Sequence, residues 1–96
     1  MFGLSINKVT GNSMSPAIMP NNYVLLHSFG SMKHLKKGQI VKVAHPIFGA
    51  IIQRIAYQDK NGLYWLAGDD PNSLACCQIG PISAEQIIGV MICNLR

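Results

Sequence analysis

The stretch GAIIQRIAYQDKNGLYWLA, residues 49–67, has the sequence pattern of a β-hairpin. Its first part, residues 49–57, is rich in isoleucine and forms the longest candidate strand. Residues 59–62, Asp-Lys-Asn-Gly, supply a turn, since Asn-Gly accepts the positive φ angles of a hairpin connection. Residues 63–67 then return antiparallel. The stretch predicts two paired strands, with Gln53 inside the longer one.

Further strands and two short helical segments are predicted on either side of this hairpin. The alternation of apolar and polar residues, with flanking turn residues, predicts strands at 5–10, 23–27, 39–44 and 89–94. Residues 13–18 allow one helical turn with Pro16 near its start, and residues 83–86, Ser-Ala-Glu-Gln, match a capping box for one short helix. This succession of short strands and turns predicts a mostly β fold.

Length and composition favour one domain that spans residues 1–96. Hydrophobic residues make up 49% of the chain and charged residues 12%, which is enough apolar material for one modest core. The longest strongly apolar stretch, residues 87–93, is far shorter than the roughly 18 residues that a membrane span needs. The first residues have no basic start and only a short apolar run, which is unlike a signal peptide. We therefore expect a cytoplasmic protein without a membrane span.

The basic residues and cysteines indicate neither nucleic acid nor metal. The net charge is +4, but the sequence has no basic helix and no aromatic residues interleaved with basic ones, so we expect no nucleic-acid partner. Cys76, Cys77 and Cys93 are odd in number and lack metal-ligand spacing. We expect reduced thiols, no metal and no cofactor.

Ser13 is the residue with the clearest chemical potential. It stands in Asn12-Ser13-Met14-Ser15-Pro16, between a predicted strand and a helical turn. Such a turn exposes the hydroxyl, and the backbone N–H groups of Asn12 and Ser13 are candidates for an oxyanion hole. A serine that merely caps the turn explains the same residues and is the simpler interpretation of this stretch alone. Catalysis requires a base that removes the proton of the hydroxyl.

Several motifs, taken in chain order, resemble the Ser-Lys peptidase superfamily, which includes bacterial signal peptidase I and LexA-type repressors. The similar segments are Ser13-Met14-Ser15-Pro16 for the Ser-Met-x-Pro nucleophile box, Lys37-Gly38-Gln39-Ile40-Val41 for Lys-Gly-Asp-Ile-Val, Gln53-Arg54-Ile55 for Lys-Arg-Val, Gly68-Asp69-Asp70 for Gly-Asp-Asn, and Ser73, Gly80-Pro81-Ile82 and Ile88-Gly89 after it. The short chain and Ala44-His45-Pro46 are similar to the small branch of nickel-type superoxide dismutase maturation proteases. The resemblance covers nearly the whole chain.

The resemblance implies a single coiled antiparallel sheet with Ser13, Gln53 and Ser73 in the catalytic positions. In the superfamily a lysine at position 53, held neutral by burial, is the general base for the serine. Gln53 has no basic nitrogen, and the neighbouring Arg54 stays protonated and points to the opposite face of its strand. Ser73 matches a serine that hydrogen-bonds the lysine. The resemblance therefore predicts that Ser13 Oγ and the Gln53 carboxamide lie close together.

The resemblance also implies an extended peptide or protein substrate that lies in the cleft as an added strand. Met14, Ile51 and Ile52 are the residues that we expect to contact it, and a homodimer is compatible with the same fold. Positions 75–77 depart from the superfamily, because Ala75-Cys76-Cys77 stands where the superfamily has Asp-Ser-Arg, and the ion pair that braces the loop is therefore lost.

Three functions remain open from the sequence. The first is a serine endopeptidase homologue that has lost or weakened hydrolysis and keeps peptide binding or self-association. The second is an active endopeptidase in which Ser13 uses another base, the candidates being His27, His34, His45 and Lys42. His45 precedes a proline at a strand end and is expected at the surface. The third is a structural or regulatory partner domain without peptide affinity.

Overall fold

Six strands form one open antiparallel sheet in the computed structural model, which describes residues 3–9, 14, 18–19, 21–28, 35–69 and 79–95. The strands are β1 (Gly3–Lys8), β2 (Tyr23–Ser28), β3 (Ile40–His45), β4 (Gly49–Gln58), β5 (Tyr64–Ala67) and β6 (Ile87–Leu95). Their order in the sheet is β1-β2-β6-β3-β4-β5, so the last strand lies between β2 and β3. The predicted mostly β fold class is confirmed.

The predicted hairpin of residues 49–67 forms β4 and β5. Gly62 adopts a φ of 85°, as a tight connection requires, and Asp59 organises the turn from within. Its carboxylate accepts hydrogen bonds from the backbone N–H of Asn61 (2.9 Å) and Leu63 (3.0 Å) and from Trp65 Nε1 (2.9 Å). This hydrogen bonding holds the pKa of Asp59 below its usual range, with the Trp65 bond as the largest cause.

Two strand boundaries differ from the prediction because neighbouring segments pair differently. Strand β1 ends at Lys8 rather than at residue 10, since Val9 leaves the ladder and exchanges hydrogen bonds with the turn before β2. Val9 donates to Asn22 O (2.8 Å), and Val9 O accepts from Asn21 N (2.9 Å). Strand β6 begins at Ile87 rather than at residue 89, because Ile87 already pairs with Val43 of β3.

The two helical predictions have different outcomes. Ile18 N donates to Met14 O (2.9 Å), but residues 13 and 15–17 lie outside the described residues, so the predicted turn at 13–18 stays a prediction. The predicted helix after Ser83 is only a 3₁₀ turn, Ala84–Gln86, because Ile87 at once joins β6. Ser83 N donates to Gln86 Oε1 (3.0 Å), as the capping box predicts. No helix within the described ranges is long and apolar enough to cross a membrane.

Two hydrophobic cores lie on opposite faces of the sheet. The large core contains Val41, Val43, Ile55, Tyr64, Leu66, Ile79, Ile82, Ile87 and Val90. The small core contains Val9, Met14, Ile18, Val24, Leu26 and Ile40, with Ile52 and Met91 packed against it. Since side chains alternate along a strand, Val41 and Ile40 point to opposite faces of β3. Residues 79–84 cover the large core, and Met14 and Ile18 pack into the small core.

A hydrogen bond between distant strands shows that the sheet is coiled, as predicted. Lys42 Nζ of β3 donates to Asn7 Oδ1 of β1 at 2.8 Å, although β2 and β6 lie between these two strands. A flat sheet would hold β1 and β3 about 14 Å apart, since neighbouring strands are about 4.8 Å apart. The sheet therefore curls around the small core.

Candidate functional site

Gln53 occupies the middle of β4, opposite Val41 of β3. Directly paired residues of an antiparallel ladder share a face, so Gln53 points to the side of the large core. Its side chain is 3% exposed, and Val41 and Ile55 beside it are fully buried. None of the described residues donates a hydrogen bond to Gln53 Oε1. The position that the resemblance assigns to a lysine thus holds a buried amide with a free acceptor.

An unpartnered buried amide oxygen is unfavourable for folding. Leaving such an acceptor without a hydrogen bond costs about 1–3 kcal/mol, and most buried polar groups of folded proteins avoid this. An aliphatic side chain at Gln53 would pack against Val41 and Ile55 without that penalty. The carboxamide is therefore poorly explained by its contribution to the described core, and it is a candidate for contact with a ligand or with another functional group.

Part of β4 next to Gln53 has a free edge, which here means an edge that no described strand occupies. Strand β5 pairs with β4 only from Arg54 onward, and no described strand pairs with residues 49–53 on that side. Ile55 bonds toward β3, because its N–H donates to Gln39 O and its C=O accepts from Gly38 N, both at 2.8 Å. Backbone groups of successive residues alternate between the two edges of a strand. The N–H and C=O of Ile52 therefore point away from β3, toward the free edge. An extended chain could hydrogen-bond there.

Arg54 lies on the opposite face of β4 from Gln53, as predicted. Its Nε and Nη2 donate to the two carboxylate oxygens of Asp69 at 2.9 and 2.8 Å, and its Nη1 donates to Gly38 O at 2.8 Å. The bond to Arg54 holds the pKa of Asp69 below its usual range, and the same bond raises the pKa of Arg54. Arg54 therefore stays a cation that ties β4 to the start of the loop after β5.

His45 is buried, so its expected place at the surface is wrong. It is 8% exposed and lies on the large-core side at the end of β3. Its Nδ1 accepts from the backbone N–H of Ile47 (3.0 Å) and Phe48 (3.2 Å), which requires Nε2 to carry the proton donated to Ile79 O (2.7 Å). The Phe48 ring packs against the imidazole ring of His45, with 4.8 Å between the ring centroids. Both ring nitrogens are occupied, which argues against His45 as a catalytic base.

The three residues expected to contact a substrate lie in different places. Met14 is 1% exposed and belongs to the small core. Ile52 is half-buried and packs against the same core, on the face of β4 opposite Gln53. Ile51 is half-buried and packs against the large core, on the same face as Gln53. Ile51 and Gln53 together form the large-core side of the free edge.

Two alternative bases lie on different faces of the sheet. Lys42 is half-buried on the small-core side of β3, and its amine is bonded to the neutral side chain of Asn7. His27 is half-buried on β2, opposite Val90 of the large core. Lys42 is therefore the candidate base on the same side of the sheet as Met14, the residue that follows Ser13.

The remaining predicted site residues lie outside the described residues. These are Asn12, Ser13, His34 and Ser73, so the predicted contact between Ser13 Oγ and the Gln53 carboxamide stays a prediction. The same holds for Cys76 and Cys77, whereas Cys93 is exposed and carries a free thiol. Within the part of the chain that the structure describes, no group of three histidine, cysteine or acidic side chains could hold a metal ion.

Sequence reasoning missed the free edge of β4 and the hydrogen bonding of His45. The free edge had a signal, because the predicted strands of the hairpin differ in length, residues 49–57 against 63–67. A long strand beside a short one must leave part of its edge unpaired. His45 had no comparable signal, since its hydrogen bond to Ile79 O joins segments that are 34 residues apart.

Neither the models of known protein families nor the sequences of curated proteins match this chain. The resemblance to Ser-Lys peptidases therefore rests on the motifs of the sequence. The described geometry by itself defines a coiled, mostly β domain in which a buried amide with a free acceptor lies beside an open strand edge.

Proposed function

We propose that this chain is a peptide-binding homologue of the Ser-Lys endopeptidases in which hydrolysis is lost or strongly weakened. An extended peptide would lie along residues 49–53 as an added strand, beside Gln53 and in reach of Ser13. In this arrangement the main chain of β4 provides affinity and the flanking side chains provide selectivity.

The state of Gln53 is the observation that carries the proposal. A working dyad needs a basic nitrogen, and the carboxamide of Gln53 has none. The side chain is nevertheless polar, 3% exposed and without a described donor for its Oε1. A residue kept only for packing would be aliphatic at this position. A polar group that can no longer act as a base but can accept a hydrogen bond fits binding better than catalysis.

The free edge of β4 supports the same proposal. Added-strand recognition needs backbone groups that no other strand uses, and Ile52 presents its N–H and C=O on the side that β5 leaves open. The edge is held firmly at both ends. His45 fixes the turn before Gly49, and the ion pair of Arg54 and Asp69 fixes the point where β5 departs. Such an edge loses little conformational freedom when a peptide binds.

Lys42 favours a second candidate function, an active endopeptidase with a different base. Its amine lies on the sheet face that holds Met14, and its described partner, Asn7, is uncharged. The described residues contain no ion pair between Lys42 and a carboxylate. This candidate requires Ser13 Oγ to reach Lys42 rather than Gln53.

Reaction with a serine-directed acylating probe, followed by intact-mass measurement, tests the proposal. We expect the natural chain to react no faster than Ser13→Ala. Gln53→Lys should raise the rate about 100-fold or more, because general-base catalysis contributes on that order and burial beside Val41 and Ile55 favours the neutral amine. The Gln53→Lys, Ser13→Ala double variant is the matched blank, and a cooperative melt shows that each variant is folded.

Two results would contradict the proposal. Rapid acylation of the natural chain that is abolished by Lys42→Met establishes the active endopeptidase with Lys42 as base. A folded Gln53→Lys chain that reacts no faster than its blank shows that Ser13 and position 53 do not form a dyad. If the chain also selects no peptide, the structural or regulatory function replaces the proposed one.

A further inference from the structure

The free edge and the buried acceptor lie on one short segment of β4. No described strand pairs with residues 49–53 on the edge away from β3, and Ile51 and Gln53 point to the large-core face of this segment. A strand added here would alternate its side chains between the two faces. One side chain of the added strand would therefore lie next to Gln53, in a setting bounded by Ile51 and by the large core.

Among the described residues the acceptor has no donor and is well buried, which gives that position of the peptide a specific chemistry. Gln53 Oε1 has no described donor, and the side chain is 3% exposed. A peptide side chain that donates a hydrogen bond removes an existing penalty, whereas an apolar side chain leaves the acceptor unpartnered. Sites built around a buried polar group discriminate strongly against ligands that cannot pair with it.

We infer that the peptide carries a neutral hydrogen-bond donor, namely serine, threonine or asparagine, at the position beside Gln53, and that Gln53 is the residue that selects it. The inference rests on the proposed peptide-binding function. A lysine or arginine would bring a charge next to the large core, and Asp69, the carboxylate of the described ion pair, is already bound to Arg54 on the opposite face of β4. Aspartate and glutamate would place an acceptor against an acceptor.

Selection from a phage-displayed library of random peptides, each about 10 residues long and so of strand length, tests this inference. The natural chain and Gln53→Met are selected in parallel, because methionine has a similar reach and cannot hydrogen-bond through an amide. The natural chain should enrich serine, threonine or asparagine at one fixed position. Gln53→Met should select an apolar residue at that position instead.

Titration of one selected peptide makes the comparison quantitative. Removing its donor, by replacing threonine with its isostere valine or by truncating serine to alanine, should weaken binding to the natural chain about tenfold, as expected when a buried acceptor is left unpaired. The same replacement should leave the affinity of Gln53→Met within about twofold, because no acceptor remains there. Equal losses on both chains would overturn the role of Gln53.

The outcomes separate this inference from the proposed function. If neither chain enriches any peptide, the peptide-binding function is wrong and the inference fails with it. If both chains enrich peptides but show no preference for a donor, or prefer aspartate or glutamate, the proposed function stands and the inference alone is wrong. A melting curve of Gln53→Met confirms that any loss of selection is not a loss of folding.

Discussion

His45 and Gln53 are the two buried polar side chains of the described residues, and they differ in how far they are satisfied. Both point to the large-core face of the β3–β4 hairpin. The His45 ring takes part in hydrogen bonds with three backbone groups, of Ile47, Phe48 and Ile79, at 2.7–3.2 Å. Gln53 Oε1 has no described donor. The described hydrogen bonds therefore satisfy both ring nitrogens of His45 and leave the Gln53 acceptor without a described donor.

The difference separates a structural polar group from a functional one. Folding favours a buried polar residue only when its hydrogen bonds are made, as at His45. At Gln53 the acceptor is left over, and proteins retain such groups where binding or catalysis uses them. Substituting the same residue, methionine, at both positions makes this contrast measurable.

The largest expected effect on stability is that of His45→Met. The substitution leaves Ile79 O and the N–H groups of Ile47 and Phe48 without their partner, so we expect the free energy of unfolding to fall by about 2 kcal/mol. Urea-induced unfolding measures this, with an unchanged m-value showing that the denatured state is the same. A loss below about 0.5 kcal/mol would mean that water replaces all three hydrogen bonds and that His45 is no anchor.

Asp69→Asn should have a smaller effect that depends on pH. The ion pair with Arg54 is bidentate but partly exposed, at 35% for Arg54 and 23% for Asp69, so we expect a loss of about 1 kcal/mol at neutral pH. Arg54 lowers the pKa of Asp69, so this stabilisation is present above the pKa of Asp69 in the unfolded chain. It is lost as the pH falls through the lower pKa of the folded chain.

The pH dependence therefore has a definite form. The difference in unfolding free energy between the natural chain and Asp69→Asn should be constant at neutral pH and shrink below about pH 4, where aspartate begins to be protonated. Asp59 also has a lowered pKa and titrates in both chains, so it cancels in the difference. A difference that grows on acidification would contradict the assignment of the ion pair.

The hairpin and the fold class follow from local sequence, because they depend on short-range signals. Alternation, the isoleucine-rich run of residues 49–57 and the Asn-Gly turn specify β4 and β5 without reference to the rest of the chain. The alternation of side chains along a strand also predicted that Arg54 points to the face opposite Gln53.

The burial of His45 and the pairing of Arg54 with Asp69 could not be predicted in the same way. Each depends on which distant segment covers the hairpin: Ile79 is 34 residues from His45, and Asp69 is 15 residues from Arg54. Strand order is likewise a property of the whole chain, because β6, the last strand in the sequence, lies between β2 and β3 in the sheet. The lack of a described donor to Gln53 Oε1 could not be predicted either, because it depends on which distant residues pack around this side chain.

We infer that Gln53 serves binding rather than stability, and the unfolding of Gln53→Met measures how much Gln53 contributes to the stability of the folded chain. Methionine fills a similar volume and removes the unpartnered acceptor, so the free energy of unfolding should stay unchanged or rise by up to about 1 kcal/mol. Urea-induced unfolding beside His45→Met, at one pH and temperature, measures it. A loss of about 1 kcal/mol or more would show that the Gln53 amide makes stabilising hydrogen bonds in the folded chain, and would contradict the account.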